Sequence, residues 1–247
     1  MLHREVLLPE ASDLFDVLKS SPELKGATLI GGTALALQLG HRVSLDFDFA
    51  YFQEHIPTLQ IEQLVSRLKK EKHQVQLITS PDMISQFRIN EGVNLLDFVR
   101  DYVINGVKVT FFAHGKNLQQ KDFYIAANKT QVKHASFNLM GIEGLKVAKT
   151  LVLADRVRSR DLYDLYILIK HHQYSISDVF SVIKEVGVVD DPEYYKAIMR
   201  GEAPLDIDDE GLSPVDIDIS IVDIYAYLNE RLNQYETDVA TQFFSSS

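Results

Sequence analysis

Residues 29–52 read LIGGTALALQLGHRVSLDFDFAYF, and this stretch decides the fold class. A short apolar run ends in two glycines, strong helix formers follow as far as Gly40, and an alternating segment begins at Val43. In this segment polar and apolar residues alternate, as on a strand with one buried face. The stretch therefore predicts a strand, a helix and a second, two-faced strand.

Two aspartates lie on the polar face of the second predicted strand. Asp46 and Asp48 are two residues apart, so their carboxylates point to the same side. Ionised carboxylates are costly to bury unless they are paired or bind a metal. Mg²⁺ commonly binds one or two carboxylates together with substrate phosphates. We interpret the pair either as an exposed strand face or as a metal site.

The double glycine favours the metal site. Gly31, Gly32 and Thr33 connect a strand to a helix, where backbone N–H groups and the positive end of the helix dipole attract phosphate. A site with two metal ions about 3.5–4 Å apart calls for a third carboxylate. Asp97 in NLLDFV is the candidate, because it is a lone charge in an apolar segment that we interpret as a strand. These features together predict a metal-dependent triphosphate site.

The whole chain separates into a mixed part and a helical part. Asn105 and Gly106 lie between two alternating runs and indicate a β-hairpin, and a further strand is predicted at residues 86–90. From Gly141 onward nearly every segment has helical periodicity. We predict an α/β (α+β) fold, with a mixed sheet flanked by helices over residues 1–135 and a C-terminal helical region over residues 136–247.

A basic cluster lies in the helical part. Between Lys146 and Arg160 there are five basic residues and one acid, in a chain of net charge −10. The overall charge opposes general attraction to nucleic acid, so contacts with phosphate must come from a local patch. Lys149 and Arg156 are seven residues apart and would share one face of a continuous helix. Asp161 suits the first turn of the next helix.

Two segments resemble one known family. GGTALALQLGHRVSLDFDF is similar to the signature of the polymerase-beta-like nucleotidyltransferases and, more narrowly, of the AbiEii/AbiGii-type abortive-infection toxin family. AKTLVLADRVRSRDLYDLYIL is similar to a second block of that family, in which Lys146 competes with Lys149 for the family's lysine. The matching positions are Gly31, Gly32, Thr33, Arg42, Ser44, Asp46, Asp48, Lys149, Arg156, Arg160, Asp161 and Asp164.

The resemblance implies an enzyme that transfers NMP from an NTP to an acceptor hydroxyl and releases pyrophosphate. It implies Mg²⁺ or Mn²⁺ on Asp46, Asp48 and Asp97, with Asp97 also helping to deprotonate the acceptor. The other matching positions would bind the NTP, although Asp164 could equally be a structural partner that orients Arg156 or Arg160. The implied role is the toxin of a toxin–antitoxin or phage-defence system, with an RNA or tRNA 3′ end as acceptor and an antitoxin protein as partner.

Two alternatives stay open at this point. The same chemistry could act on a protein or on an antibiotic-like small molecule, and the acidic segment at residues 206–218 would suit a cationic one. The chain could also be a nucleotide-binding module without catalysis. Long apolar runs, a signal-peptide pattern and cysteines are all absent from the sequence, so we expect no membrane association and a cytoplasmic location.

Overall fold

The computed structural model describes residues 2–189 and 191–245. Its contacts divide the chain into two compact units, Met1–Leu145 and Lys146–Ser247. Residues 136–145 belong to the first unit, because a strand within them pairs with the sheet. In the described residues no helix is long and apolar enough to cross a membrane.

A seven-stranded mixed sheet forms the first unit, in the order β3-β4-β5-β2-β1-β7-β6. The strands are β1 (Thr28–Ile30), β2 (Asp46–Tyr51), β3 (Val75–Leu77), β4 (Val99–Ile104), β5 (Val107–Ala113), β6 (Lys129–Gln131) and β7 (Asn138–Met140). The central strand β2 pairs with β1 antiparallel and with β5 parallel. β4 and β5 form the predicted hairpin, which confirms the mixed α/β class.

Ten helices of the described residues accompany the sheet. The first unit holds α1 (Pro9–Lys19), α2 (Gly31–Leu39), α3 (Thr58–Lys70), α4 (Pro81–Glu91) and α5 (Leu118–Ala126), and α6 (Ile142–Leu151) crosses the division. The second unit continues with α7 (Ser159–His171), α8 (Ile176–Val186), α9 (Pro192–Arg200) and α10 (Ile221–Ser245). The C-terminal unit is helical, as the periodicity of the sequence indicates.

The predicted strand at residues 86–90 is wrong, because this segment belongs to α4. Ser80 caps that helix by accepting a hydrogen bond from the Met83 N–H group, and Gly92 ends it in the left-handed conformation. None of the α4 residues is buried. Without a buried face the segment has no clear apolar period, so its caps were the better guide to its structure.

β2 has the two faces that its alternation predicts. Phe47 and Phe49 are 1% and 0% exposed. The Phe47 ring lies 6.0 Å from that of Phe15 in α1, and the Phe49 ring lies 5.0 Å from that of Phe137. Burying each of these rings contributes roughly 1.5–3 kcal/mol of stability. The apolar face holds β2 in the core and thereby directs its aspartates to the other face.

Candidate active site

The turn from β1 into α2 brings its two glycines against charged side chains. Gly31 has a φ of +77°, and a Cβ atom on it would lie 2.7 Å from Asp48 Oδ2. A Cβ atom on Gly32 would overlap the guanidinium of Arg42. At Gly31 the positive φ favours glycine, and at both positions a Cβ atom would require the neighbouring side-chain end to move. The structure thus brings the predicted turn, Arg42 and the predicted metal-binding strand together.

Replacing Gly31 with Ala is expected to destabilise the protein by about 1–2 kcal/mol from the left-handed backbone alone, with a further cost from displacing Asp48. The control is Gly92→Ala, since Gly92 has a φ of +72° but open space around its Cβ position. Urea unfolding of both variants separates backbone strain from the contact. Equal losses of unfolding free energy would contradict the close approach to Asp48.

Thr33 and Ser44 fasten the start of α2 to the start of β2. The Thr33 hydroxyl donates to the backbone oxygen of Asp46 and lies 2.6 Å from the Ser44 hydroxyl. Because Thr33 has only one hydroxyl proton, Ser44 donates to Thr33. Both residues are 1% exposed. These two predicted site residues are buried and therefore orient the carboxylate strand through hydrogen bonds in the interior.

Asp97 does not lie in a strand, and its prediction as a strand carboxylate is wrong. It ends a short 3₁₀ turn, Leu95–Asp97, which Asn94 caps by accepting a hydrogen bond from the Leu96 N–H group. β4 begins only at Val99. Among residues 2–189 and 191–245, no three His, Asp or Glu side chains are close enough to bind one metal ion together. Asp97 therefore does not complete a three-carboxylate cluster with the D-x-D pair.

Asp101 of β4 is the carboxylate that shares a sheet face with Asp48. Thr110 of β5 pairs in register with Asp48 of β2 on one side and with Asp101 of β4 on the other. The Thr110 hydroxyl donates to Asp101 at 2.7 Å, and Lys108 Nζ lies 3.9 Å from the same carboxylate. Two strand spacings, about 9–10 Å, separate Asp101 from Asp48. The sequence contained a signal for Asp101, because the turn at Asn105 and Gly106 sets the hairpin register.

The donor set on β2 suits a divalent cation whose remaining ligands come from substrate and water. Asp46 and Asp48 are partly exposed on one strand face, and Gly31 leaves room beside Asp48. Mg²⁺ typically takes one or two carboxylates and keeps several waters or phosphate oxygens. The pair of carboxylates fits Mg²⁺ or Mn²⁺ without a third protein carboxylate.

In the second unit, Lys149 lies between two buried carboxylates. Its Nζ is 2.7 Å from Asp161 Oδ1 and 2.7 Å from Asp164 Oδ2, and all three side chains are at most 5% exposed. Arg156 Nε donates to Asp161 at 2.8 Å, and this arginine side chain is 43% exposed. The structure thus joins four residues of the second sequence block into one charge-balanced cluster. Only Arg156 reaches solvent to a large extent.

The cluster has a consequence for acid stability. Burial opposes ionisation of Asp161, but the charges of Lys149 and Arg156 outweigh it and hold the pKa of this carboxyl at about 2. The ordinary pKa is 3.8, so the ionised folded form gains stability above about pH 4 and loses it as the pH falls towards 2. We expect about 2 kcal/mol to be lost over that range. Urea unfolding at several pH values should show a smaller pH dependence in Asp161→Asn; an unchanged slope would contradict the ionised cluster.

The two other basic candidates of the block lie elsewhere. Lys146 Nζ lies 5.6 Å from the ring centre of Tyr174. Arg160 donates to Glu210 at 2.7 Å. Because Lys149 binds both aspartates of the block, the structure favours it over Lys146 as the lysine of the motif.

An acidic loop, defined by residues 206–210, covers the basic segment before α7. Asp206 accepts from the Val157 N–H group, and Arg158 pairs with Asp206 and Asp208. Asp209 accepts hydrogen bonds from both the N–H and hydroxyl groups of Ser159 at 3.0–3.1 Å. The sequence predicted a local positive patch without naming these partners, which lie about fifty positions away along the chain. Arg158 and Arg160 are largely neutralised within the unit.

One family model matches most of this chain. The nucleotidyl transferase AbiEii toxin family of type IV toxin–antitoxin systems matches residues 12–213. An uncharacterised protein of Aquifex aeolicus, aq_aa25, is 24% identical over 158 residues, or 64% of this chain. The match likewise spans 64% of the length of that relative. The family match covers both sequence blocks and ends at residue 213, before α10.

Solved structures show the same fold at low sequence identity. JHP933 from Helicobacter pylori aligns with a TM-score of 0.51 and 17% identity over 94% of this chain and 93% of its own. MenT4, a nucleotidyltransferase toxin from Mycobacterium tuberculosis H37Rv, aligns with a TM-score of 0.50 and 13% identity over 91% and 84%. With the family match over both blocks, this chain belongs to the AbiEii family of nucleotidyl transferase toxins.

Proposed function

We propose that this chain transfers NMP from an NTP to an acceptor hydroxyl and releases pyrophosphate. The observation that carries the proposal is the juxtaposition of Asp46 and Asp48 with the turn at Gly31 and Gly32, at the start of α2. Carboxylates beside a helix N-terminus combine a cation site with a phosphate site. Phosphoryl-transfer enzymes depend mainly on such positioning and on charge stabilisation.

In the first unit, different residues bind the cation and the phosphates. Asp46 and Asp48 hold the divalent cation, and the N–H groups of the first turn of α2, which lack intrahelical partners, receive the phosphates. Thr33 and Ser44 orient these groups without contacting the substrate, which revises the predicted phosphate contact of Thr33. Mg²⁺ or Mn²⁺, when bound, supplies charge neutralisation on the phosphates. The acceptor oxygen bonds to the α-phosphorus, its proton passes to solvent water, and the bond to pyrophosphate breaks with its electron pair leaving on the pyrophosphate oxygen.

In the second unit we propose that the Lys149 cluster presents Arg156 to an anionic part of a substrate. Lys149 is held by two carboxylates and buried, so it contributes by fixing Asp161 and Asp164. Asp161 in turn fixes the Arg156 guanidinium through its Nε donor, while 43% of that side chain stays exposed. Arg156 rather than Lys149 is therefore the direct cation, a revision of the role predicted from sequence.

For the biological role we propose the toxin of a toxin–antitoxin or phage-defence pair, acting in the cytoplasm on an RNA or tRNA 3′ end and restrained by an antitoxin protein. The family match supports the toxin role. A cationic small-molecule acceptor is less well supported by the structure than by the sequence. The acidic side chains of the segment 206–210 already pair with Arg158, Ser159 and Arg160.

The test incubates the protein with each α-labelled NTP, Mg²⁺ and either total RNA, a protein extract or a small-molecule extract. We expect label in RNA with wild type and none with the isosteric variant Asp46→Asn. Label in protein or in a small molecule would overturn the RNA acceptor but keep the transfer chemistry. Absence of label from all three fractions, with NTP binding intact, would overturn the enzymatic function.

A further inference from the structure

The D-x-D strand has a different neighbour on each side in the sheet. On its β1 side it meets the glycine turn, since a Cβ atom on Gly31 would lie 2.7 Å from Asp48 Oδ2. On its β5 side, Lys108 is the register partner of Asp46. Register partners on neighbouring strands project from the same face and are about 4.8 Å apart. Lys108 therefore lies beside the candidate metal site, on the side away from the glycine turn.

The Lys108 ammonium is accessible and weakly held. Its side chain is 52% exposed, and its Nζ lies 3.9 Å from Asp101 Oδ1. That oxygen already accepts a hydrogen bond from the Thr110 hydroxyl at 2.7 Å. Exposed ion pairs of this kind are weak, so another anion can take the place of the carboxylate. Among the residues of the described strands β2, β4 and β5 that share this face, Lys108 is the only cation.

The geometry of phosphoryl transfer fixes the side from which the acceptor enters. In an in-line displacement the attacking and leaving oxygens lie on opposite sides of the transferred phosphorus. The proposed function places the triphosphate, and with it the leaving pyrophosphate, on the glycine turn at the β1 side of β2. The acceptor hydroxyl then approaches from the β5 side, where Lys108 lies. The role of Lys108 thus rests on the proposed function.

An RNA 3′ end brings a negative charge close to its reactive hydroxyl. The terminal nucleotide carries that hydroxyl and also the phosphate that joins it to the rest of the strand. Lysine binds phosphate as a point charge, and backbone phosphates supply a large share of the affinity of proteins for nucleic acids. A protein hydroxyl or a cationic small molecule brings no phosphate of its own. Of the three acceptor classes, RNA therefore suits Lys108 best.

We propose that Lys108 binds the backbone phosphate next to the 3′ hydroxyl of an RNA acceptor and so positions that hydroxyl against the α-phosphorus of the NTP. On binding, the Lys108 ammonium exchanges its contact with Asp101 for the acceptor phosphate. The lysine contacts the acceptor and not the triphosphate. It therefore determines the affinity for RNA, while the glycine turn and the D-x-D pair determine the affinity for the NTP.

The test measures transfer of label from the NTP to total RNA at fixed Mg²⁺ and increasing concentrations of RNA and of monovalent salt. Lys108→Met keeps the aliphatic stem without the charge, so we expect the KM for RNA to rise about tenfold and the KM for the NTP to stay within about twofold. The slope of log(kcat/KM) for RNA against log salt should become shallower by about one. Lys108→Arg keeps the charge and should behave nearly as wild type.

Lys116→Met is the matched control. Lys116 is an exposed lysine of the same unit that also has one exposed carboxylate partner, Glu91 at 3.4 Å. We expect this variant to leave the KM for RNA and its salt dependence unchanged. Circular dichroism and thermal melting show that each variant is folded.

The kinetic pattern decides whether Lys108 has this role. An unchanged KM for RNA in Lys108→Met, or an equal rise in Lys116→Met, would overturn it. A rise in the KM for the NTP alone would place Lys108 on the triphosphate instead. An equal rise in the KM for RNA in Asp101→Asn would show that the ion pair only stabilises the hairpin.

The fraction that carries label separates this role from the proposed function. Label in protein or in a small molecule alone would overturn the role of Lys108 but keep the transfer chemistry. No label in any fraction would overturn the transfer function itself, and the role of Lys108 with it. Label in RNA with an unaffected Lys108→Met would overturn the role of Lys108 alone.

Discussion

Asp48→Asn is expected to lower nucleotidyl transfer about 10³-fold or more while the protein stays folded. The change keeps the size of the side chain and removes the charge that holds the cation beside the phosphate turn. Metal-ion stabilisation of phosphoryl oxygens contributes several kcal/mol, and each 1.36 kcal/mol corresponds to a factor of ten in rate. The measurement is single-turnover transfer of label from the NTP at saturating Mg²⁺, with Asp46→Asn expected to behave alike.

The matched control for that experiment is Asp97→Asn. Asp97 ends a 3₁₀ turn and belongs to no three-carboxylate cluster in the described residues. We therefore expect Asp97→Asn to change the transfer rate less than about threefold, because it lies outside the groups that stabilise charge. Asp101→Asn tests the other carboxylate of the Asp48 sheet face. A loss in Asp97→Asn as large as in Asp48→Asn would restore the role that the sequence suggested for Asp97 and contradict the two-carboxylate site.

Lys149→Met is expected to lower the free energy of unfolding by about 3–5 kcal/mol, because it leaves the charges of two buried aspartates without their main partner. Asp161 keeps Arg156, but Asp164, which is fully buried, loses the ammonium at 2.7 Å. Urea unfolding followed by circular dichroism measures the loss. Arg160→Met is the control, since its partner Glu210 is largely exposed and such pairs contribute only about 0–1 kcal/mol.

A double variant separates charge from packing in the same cluster. Lys149→Met combined with Asp164→Asn removes a buried charge of each sign and should recover part of the stability lost in Lys149→Met. Failure to recover any stability would mean that Lys149 acts through its packing alone. Loss of NTP affinity in a stable double variant would show that the cluster also supports substrate binding through Arg156.

Short-range patterns in the sequence were sufficient for the central element of the site. The alternation after Val43 predicted which side chains of β2 enter the core, because successive residues on a strand point to opposite faces. The double glycine predicted a turn into a helix, and the structure adds that Gly31 has a positive φ and that Cβ atoms at the two positions would meet Asp48 and Arg42. These features depend on residues within about twenty positions of each other.

Features that depend on distant residues were decided by the tertiary structure. Asp97 reads as a lone charge in an apolar segment, whereas only the register across Thr110 shows that Asp101 shares the face of Asp48. Likewise the basic run around the start of α7 predicted a local cationic patch, and only the tertiary structure shows that acidic residues of the segment 206–210 pair with it.

The sequence by itself thus determined the family, the mixed α/β class and the D-x-D strand with its glycine turn. The tertiary structure decided which carboxylates meet, which hydroxyls are buried and which cations stay exposed. The physical reason is that periodicity and turn chemistry act between near neighbours, whereas sheet register and ion pairing join residues through space.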